Sequence, residues 1–165
     1  MTEAQLSNAM DAYGSTVYRL ALTRMQNIAD AEDVYQEVFL RLWKQAAEDW
    51  DGDRAKAWLI RTTLNRCADL HRFHLRRPVL SFAEIPDLAQ PEDESRELWE
   101  AVSRLPEKAR TAVHLYYAEG YSAEEISQLM HIPAATVRTR LHRARKQLKE
   151  LLGGIDDETC VSRSD

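Results

Sequence analysis

The sequence predicts an all-α protein built as two small helical domains joined by a linker, with a helix-turn-helix in the second domain. Three observations carry that prediction. Apolar residues recur at steps of three and four along most of the chain, which is the period of an amphipathic helix. Strand signals are scarce, since five glycines in 165 residues and very few β-branched alternations leave little room for strands. Pro78, Pro86 and Pro91 fall in a stretch with no sustained period, which reads as a linker over 78–91. The first domain then spans 1–77 and the second 92–152, followed by a polar, acidic tail over 153–165 that reads as disordered. Each domain of about 70 residues can hold a helical core, though a modest one.

Taken in order, the first helix is expected from about Asn8 to Met25, with Met10, Tyr13, Val17, Leu20 and Ala21 as its apolar positions. Asp30 is the expected cap of a second helix running from Ala31 to about Ala47, with Asp33 in its first turn. That helix has two faces that are not simply polar. Ala31, Val34, Tyr35, Val38 and Leu42 share one arc and read as core. Glu32, Asp33, Gln36, Phe39, Leu40 and Trp43 share a second arc, where aromatics stand among acids and an amide. Such a mixture suits the anchors of a protein interface; it equally suits packing under a neighbouring helix of the same bundle.

Residues 48–53 read as a loop with Gly52 as its turn residue, and a third helix is expected from Ala55 to about His74. Trp58, Leu59, Thr62, Thr63, Arg66, Leu70 and Phe73 trace one side of it. Arg61, Asn65, Arg66, Arg72, Arg76 and Arg77 lie along the helix and its exit, either as a solvated basic face or as a surface for melted DNA, where bases stack on rings and phosphates meet arginine. Cys67, His71 and His74 are spaced four and three apart, so they can share a face as metal ligands would, but no fourth ligand is evident. A small core cysteine and surface histidines account for them without a metal.

The linker carries apolar residues (Val79, Leu80, Phe82, Ile85 and Leu88) suited to lying in a groove on a partner. In the second domain, a helix over about 92–104 carries Leu98, Trp99 and Val102. The next helix begins at Leu105–Pro106, with the proline in its first turn, and Gly120 ends it. Ser122 with Glu125 three residues on forms a capping box for a short helix, bearing Ile126, Leu129 and Met130 on its apolar face. His131–Ile132–Pro133 closes that helix and opens the last one.

The last helix has a seam of Val137, Leu141, Ala144, Leu148 and Leu151. The opposite arc holds Ala135, Arg138, Thr139, His142, Arg143, Lys146 and Lys149. From Pro133 to Lys149 there are six Lys/Arg and no acid, although the whole chain carries a net charge of −5. Arg61 to Arg77 likewise holds five Arg against one acid, Asp69. Local sign decides where phosphates dock, so two separated basic segments point to two separated contacts with nucleic acid. A basic run alone would suit a solvated helix face. Joined to the cap, the turn and the small Ala134–Ala135–Thr136 start, it reads as a helix-turn-helix able to lie along a major groove.

No apolar run approaches membrane-spanning length and the first residues have no signal-peptide pattern, so a soluble, cytoplasmic protein without membrane insertion is expected. Cys67 and Cys160 stand too far apart in sequence to suggest a disulfide framework. No nucleophile–base pairing, phosphate loop or paired carboxylates suggest catalysis, and no cofactor or metal is expected.

These blocks resemble, in this order, the sigma factors of bacterial RNA polymerase, in their small extracytoplasmic-function (ECF) group. The resemblance covers roughly residues 8–152. It rests on Asp30-Ala-Glu-Asp-Val-Tyr-Gln-Glu-Val-Phe-Leu-Arg-Leu-Trp43, Ala57-Trp-Leu-Ile-Arg-Thr-Thr-Leu-Asn65, Leu105-Pro-Glu-Lys-Ala-Arg110 and Thr136-Val-Arg-Thr-Arg-Leu-His-Arg-Ala-Arg-Lys146. It implies core RNA polymerase (β′ clamp and β flap), promoter DNA and an anti-sigma factor as partners. It places the clamp contact on Asp33, Gln36, Glu37, Phe39 and Trp43. It places the −10 element on Trp50, Asp51, Gly52, Arg61 and Asn65, and the −35 element on Arg138, Thr139, His142, Arg143 and Lys146. The chain departs from the family pattern at His131, where glycine is usual; histidine tolerates φ > 0 better than most residues. A stand-alone helix-turn-helix regulator, and a metal-sensing switch at Cys67, His71 and His74, are the competing readings.

Overall fold

The computed structural model describes residues 1–45, 52–76 and 93–153, and the expectations for 46–51, for 77–92 and for the tail beyond 153 lie outside them. The chain divides into two compact units, which place 1–76 in the first and 93–153 in the second. All regular structure among the described residues is helical, and none of these helices is long and apolar enough to cross a membrane.

The first unit is a three-helix bundle of α1 (Glu3–Met25), α2 (Ile28–Lys44) and α3 (Gly52–Arg76). All three helix starts differ from expectation, α3 beginning at Gly52 rather than Ala55. α1 begins five residues early, because Thr2 and Gln5 form a capping box: the Gln5 N–H donates to the Thr2 hydroxyl (3.2 Å) and the Thr2 N–H to Gln5 Oε1 (2.8 Å). α2 begins at Ile28, because Asn27 rather than Asp30 is its cap, accepting from the Asp30 N–H at 3.0 Å. In both cases a short polar side chain satisfies an otherwise orphaned amide of the first turn.

Val17, Leu20, Ala21 and Leu22 of α1, Val34, Val38 and Leu42 of α2, and Leu59, Ile60 and Cys67 of α3 fill the core. Thr62 and Thr63 are also buried, and their hydroxyls donate to the carbonyls one turn back, of Trp58 (2.8 Å) and Leu59 (2.7 Å). Gly14 of α1 leaves room for the Tyr35 side chain of α2; a Cβ there would stand 3.0 Å from the Tyr35 hydroxyl. Phe73, expected on the apolar side of α3, is exposed.

The second unit packs α4 (Asp93–Ser103), α5 (Glu107–Val113), α6 (Ala123–Met130) and α7 (Ala134–Leu151) around Leu105, Ala112, Leu115, Ile126, Val137 and Leu141. Pro106 and Pro133 stand at the caps of α5 and α7 rather than inside their first turns, with their carbonyls accepting from Arg110 (2.9 Å) and Val137 (3.2 Å). The seam of α7 is buried at Val137, Leu141 and Ala144; Leu148 is half-buried, and Leu151 in the last turn is exposed. One feature was not anticipated: α5 continues as a π-helical turn over His114–Ala118 before Gly120, at φ +75, ends it. That turn buries Tyr116 and leaves Tyr117 outside.

Candidate nucleic-acid and protein interfaces

On α2, Asp33, Gln36 and Trp43 are exposed, and Glu37 is half-buried with Arg41 Nε donating to it at 3.1 Å. Phe39 does not belong with them. It is 4% exposed, and its ring lies 4.8 Å from that of Tyr35. The reason is angular: at about 100° per residue, Phe39 stands about 40° from Tyr35, on the border of the core arc. Trp43, a further step of about 40° round the helix, clears the neighbouring helices and is 42% exposed. Leu40, on the outer arc but not among the expected contacts, is 46% exposed. The exposed apolar side chains on this face are therefore Leu40 and Trp43, three residues apart on one side of the helix.

Asp33 and Asp30 also tie α2 to α3. Arg66 donates to Asp33 Oδ2 at 3.1 Å, and His74 Nε2 lies 3.0 Å from Asp30 Oδ2. With Leu59, Ile60, Leu64 and Cys67 of α3 buried, Arg61 and Asn65, one helical turn apart, face outward together. Gly52 is the first residue of α3 rather than a loop residue; its carbonyl accepts from the Tyr13 hydroxyl at 3.1 Å, anchoring the helix start to α1. Trp50 and Asp51 lie outside the described residues.

Farther along α3, Arg72, Phe73 and Arg76 border a shallow groove of about 600 Å³ that also takes in Asp33 and Arg66. Cys67, His71 and His74 are not assembled as metal ligands would be. Cys67 faces the core and His74 is engaged with Asp30; among the described residues no three metal-ligating side chains come together.

The helix-turn-helix is built as its residues dictate. The Ser122 hydroxyl accepts from the Glu125 N–H (3.2 Å) while Glu125 Oε1 accepts from the Ser122 N–H (3.1 Å). His131 takes the left-handed conformation (φ 57, ψ 45), and the Ile132 N–H donates to the Ser127 carbonyl at 3.1 Å. The hydroxyl of Ser127 donates back to the Ile132 carbonyl, closing the turn from both sides. With Val137, Leu141 and Ala144 buried, Arg138, Thr139, His142, Arg143 and Lys146 are all exposed on α7. Thr139 donates to the Ala135 carbonyl at 3.0 Å, and Arg138 pairs with Glu124 of α6. The outward arc thus gathers positive charge and hydrogen-bond donors on one helix, the composition that meets phosphates and base edges.

Arg145 escaped the sequence reading. It turns toward α5, where its guanidinium stands 5.5 and 5.8 Å from the ring centres of Tyr116 and Tyr117, and its Nε donates to the Tyr117 hydroxyl at 2.6 Å. Its place at the edge of the α7 seam was legible, but its partner depends on the π turn.

Comparison with known proteins agrees with both units. The family described as Sigma-70 region 2 matches residues 9–77, and that described as Sigma-70, region 4 matches residues 95–148. The chain is 32% identical over 155 residues to the ECF RNA polymerase sigma factor SigM of Bacillus subtilis, covering 88% of this chain and 94% of that protein. It is 34% identical over 161 residues to the ECF RNA polymerase sigma factor SigE of Mycolicibacterium smegmatis, covering 91% of this chain but 62% of that protein's length. The fold is that of the sigma factor RpoE in its complex with the anti-sigma factor NepR from Bartonella quintana, with a TM-score of 0.75 at 23% identity over 96% of this chain and 99% of that one. With both sigma-70 regions matched in order, and with SigM similar over nearly the whole of both chains, this chain belongs to the ECF group of the RNA polymerase sigma factor family.

Proposed function

We propose that this protein binds core RNA polymerase, directs it to promoters by recognising −10 and −35 elements, and promotes melting of the duplex at the start of transcription. The observation that carries the reading is the pairing, in one chain, of an exposed Leu40–Trp43 face on α2 with an outward basic arc on α7. A regulator acting alone on duplex DNA has no use for the first surface, and the region 2 match over 9–77 favours the polymerase-bound reading over that alternative.

In this mechanism, Asp33, Gln36, Glu37 and Trp43, with Leu40 added and Phe39 withdrawn, meet the β′ clamp, while the second unit meets the β flap. Arg138, Thr139, His142, Arg143 and Lys146 read the −35 element. Arginine and lysine contacts to phosphate position the helix, and base-edge contacts specify the sequence. Arg61 and Asn65, together with Trp50, Asp51 and Gly52, take up bases of the −10 element once they leave the stack. Capturing a base in the single-stranded state shifts the equilibrium toward the melted duplex by the free energy of that capture. The protein acts by binding, not by catalysis, and works in the cytoplasm beside the polymerase. An anti-sigma factor is the expected regulator, in keeping with a fold that NepR engages in the Bartonella quintana complex.

Run-off transcription over a promoter library, with core polymerase and this protein, tests the reading. Transcripts that depend on the protein support it. A protein that shifts duplex DNA alone yet directs no transcription with core polymerase would make it a stand-alone regulator instead.

A further inference from the structure

The π turn and Arg145 have no role in the contacts assigned above. Arg138, His142, Arg145 and Lys149 follow one another at steps of four, three and four, so Arg145 stands in one row with three residues of the outward arc, along the edge of that arc nearest the buried seam. Arg138 on that edge is matched by Glu124. Arg145 is not matched by any carboxylate among the described residues; its partners are the two tyrosine rings and the Tyr117 hydroxyl. Its charge is therefore left uncompensated at the side of the helix.

Tyr117 is 44% exposed beside it, carried outward by the π turn. Single π turns inside helices recur at functional positions because the extra residue re-aims a side chain. The phenol oxygen accepts from Arg145 Nε at 2.6 Å, so the phenol O–H is left to donate away from the arginine. A donor polarised by a neighbouring cation, beside an unneutralised charge at the edge of a groove-reading helix, fits an anionic oxygen.

We propose that Tyr117 donates a hydrogen bond to a backbone phosphate flanking the duplex read by α7, with Arg145 as the positioning residue that orients the phenol and supplies local positive charge. The contact would set the register of α7 on the DNA without reading a base. This inference rests on the promoter-binding function proposed above.

The test uses holoenzyme reconstituted from core polymerase and the full chain. The probes are two labelled duplexes, one carrying a −35 element recovered by transcription and one with that element scrambled. Tyr117→Phe, which keeps the ring, should weaken binding roughly two- to tenfold, the loss of one hydrogen bond, by the same factor on both duplexes. Arg145→Gln should make the fall of log affinity with log salt shallower, by at most about 0.9, the value for one fully neutralised phosphate, with Arg145→Lys restoring it. On duplexes with single phosphates replaced by neutral methylphosphonate, wild type should lose affinity at one flanking position to which Tyr117→Phe is indifferent. Unchanged binding by Tyr117→Phe, or a loss confined to the −35 duplex, overturns the phosphate contact while leaving the promoter reading standing. A wild-type holoenzyme that does not distinguish the two duplexes overturns the promoter reading and this contact with it.

Discussion

Phe39 and Trp43 sit one turn apart on α2, and their substitution by alanine should fail in opposite ways. Trp43 leaves 42% of its surface exposed. For a side chain of up to about 250 Å² that is roughly 100 Å² open to a partner. Covering it stabilises a complex by about 2.5 kcal/mol at roughly 25 cal/mol per Å², or about 60-fold in affinity. Trp43→Ala should therefore cost the polymerase complex about that factor, while the free protein loses only about 1 kcal/mol, as suits a half-exposed position. Phe39, at 4% exposure and with its ring tilted against that of Tyr35, has almost no surface left to offer. Phe39→Ala should instead destabilise the free protein by about 3–5 kcal/mol, a large part of the stability of a small bundle.

Urea unfolding followed by circular dichroism measures the second effect; competition of unlabelled variants against labelled wild-type protein for core polymerase measures the first. The reasoning is refuted if Trp43→Ala competes as well as wild type, or if Phe39→Ala unfolds at the wild-type urea midpoint and loses only polymerase binding.

Other outcomes follow from the same structure. His131→Gly should stabilise the second unit by about 0.5–1 kcal/mol, since the left-handed conformation (φ 57) costs a residue with a Cβ about 1–2 kcal/mol, partly offset by glycine's larger entropy loss; a lowered unfolding midpoint contradicts this. Ser122→Ala should cost about 1 kcal/mol by removing the reciprocal cap with Glu125, with hydrogen exchange rising first in the opening turn of α6. Burial, and secondarily the charge of Glu32, raise the pKa of the Tyr18 phenol above its ordinary 10.0. The folded state then holds that proton more tightly than the unfolded chain, so this stabilisation is complete below pH 10 and is lost as pH rises through the folded value. Tyr18→Phe should flatten the fall of stability in that alkaline range, and a phenolate absorbance titration with no component above the ordinary value would contradict the assignment.

The sequence by itself determined whatever depends on residues within a turn or two of one another. The Ser122–Glu125 capping box, the buried start of the α7 seam and its outward basic arc, and the glycine stop at Gly120 all follow from local spacing and stereochemistry; the left-handed His131 was expected from the family's usual glycine at that position. Local patterns also misled where two competed: Asn27 outranked Asp30 as a cap, and Thr2 with Gln5 began α1 early, because several polar residues near a helix start can take the same orphaned amides. Tertiary structure decided the rest. Periodicity displays two apolar rows on α2, but which row is covered depends on the reach of α1 and α3, and that placed Phe39 inside while leaving Leu40 and Trp43 out. Likewise Arg145 is one more cation at the edge of a basic helix until a π turn, many residues earlier in the chain, brings two tyrosines against it. Helix period ranks the faces of one segment; the sum of contacts from distant segments chooses among faces of nearly equal rank, and on α2 and α7 that choice separates core from exposed surface.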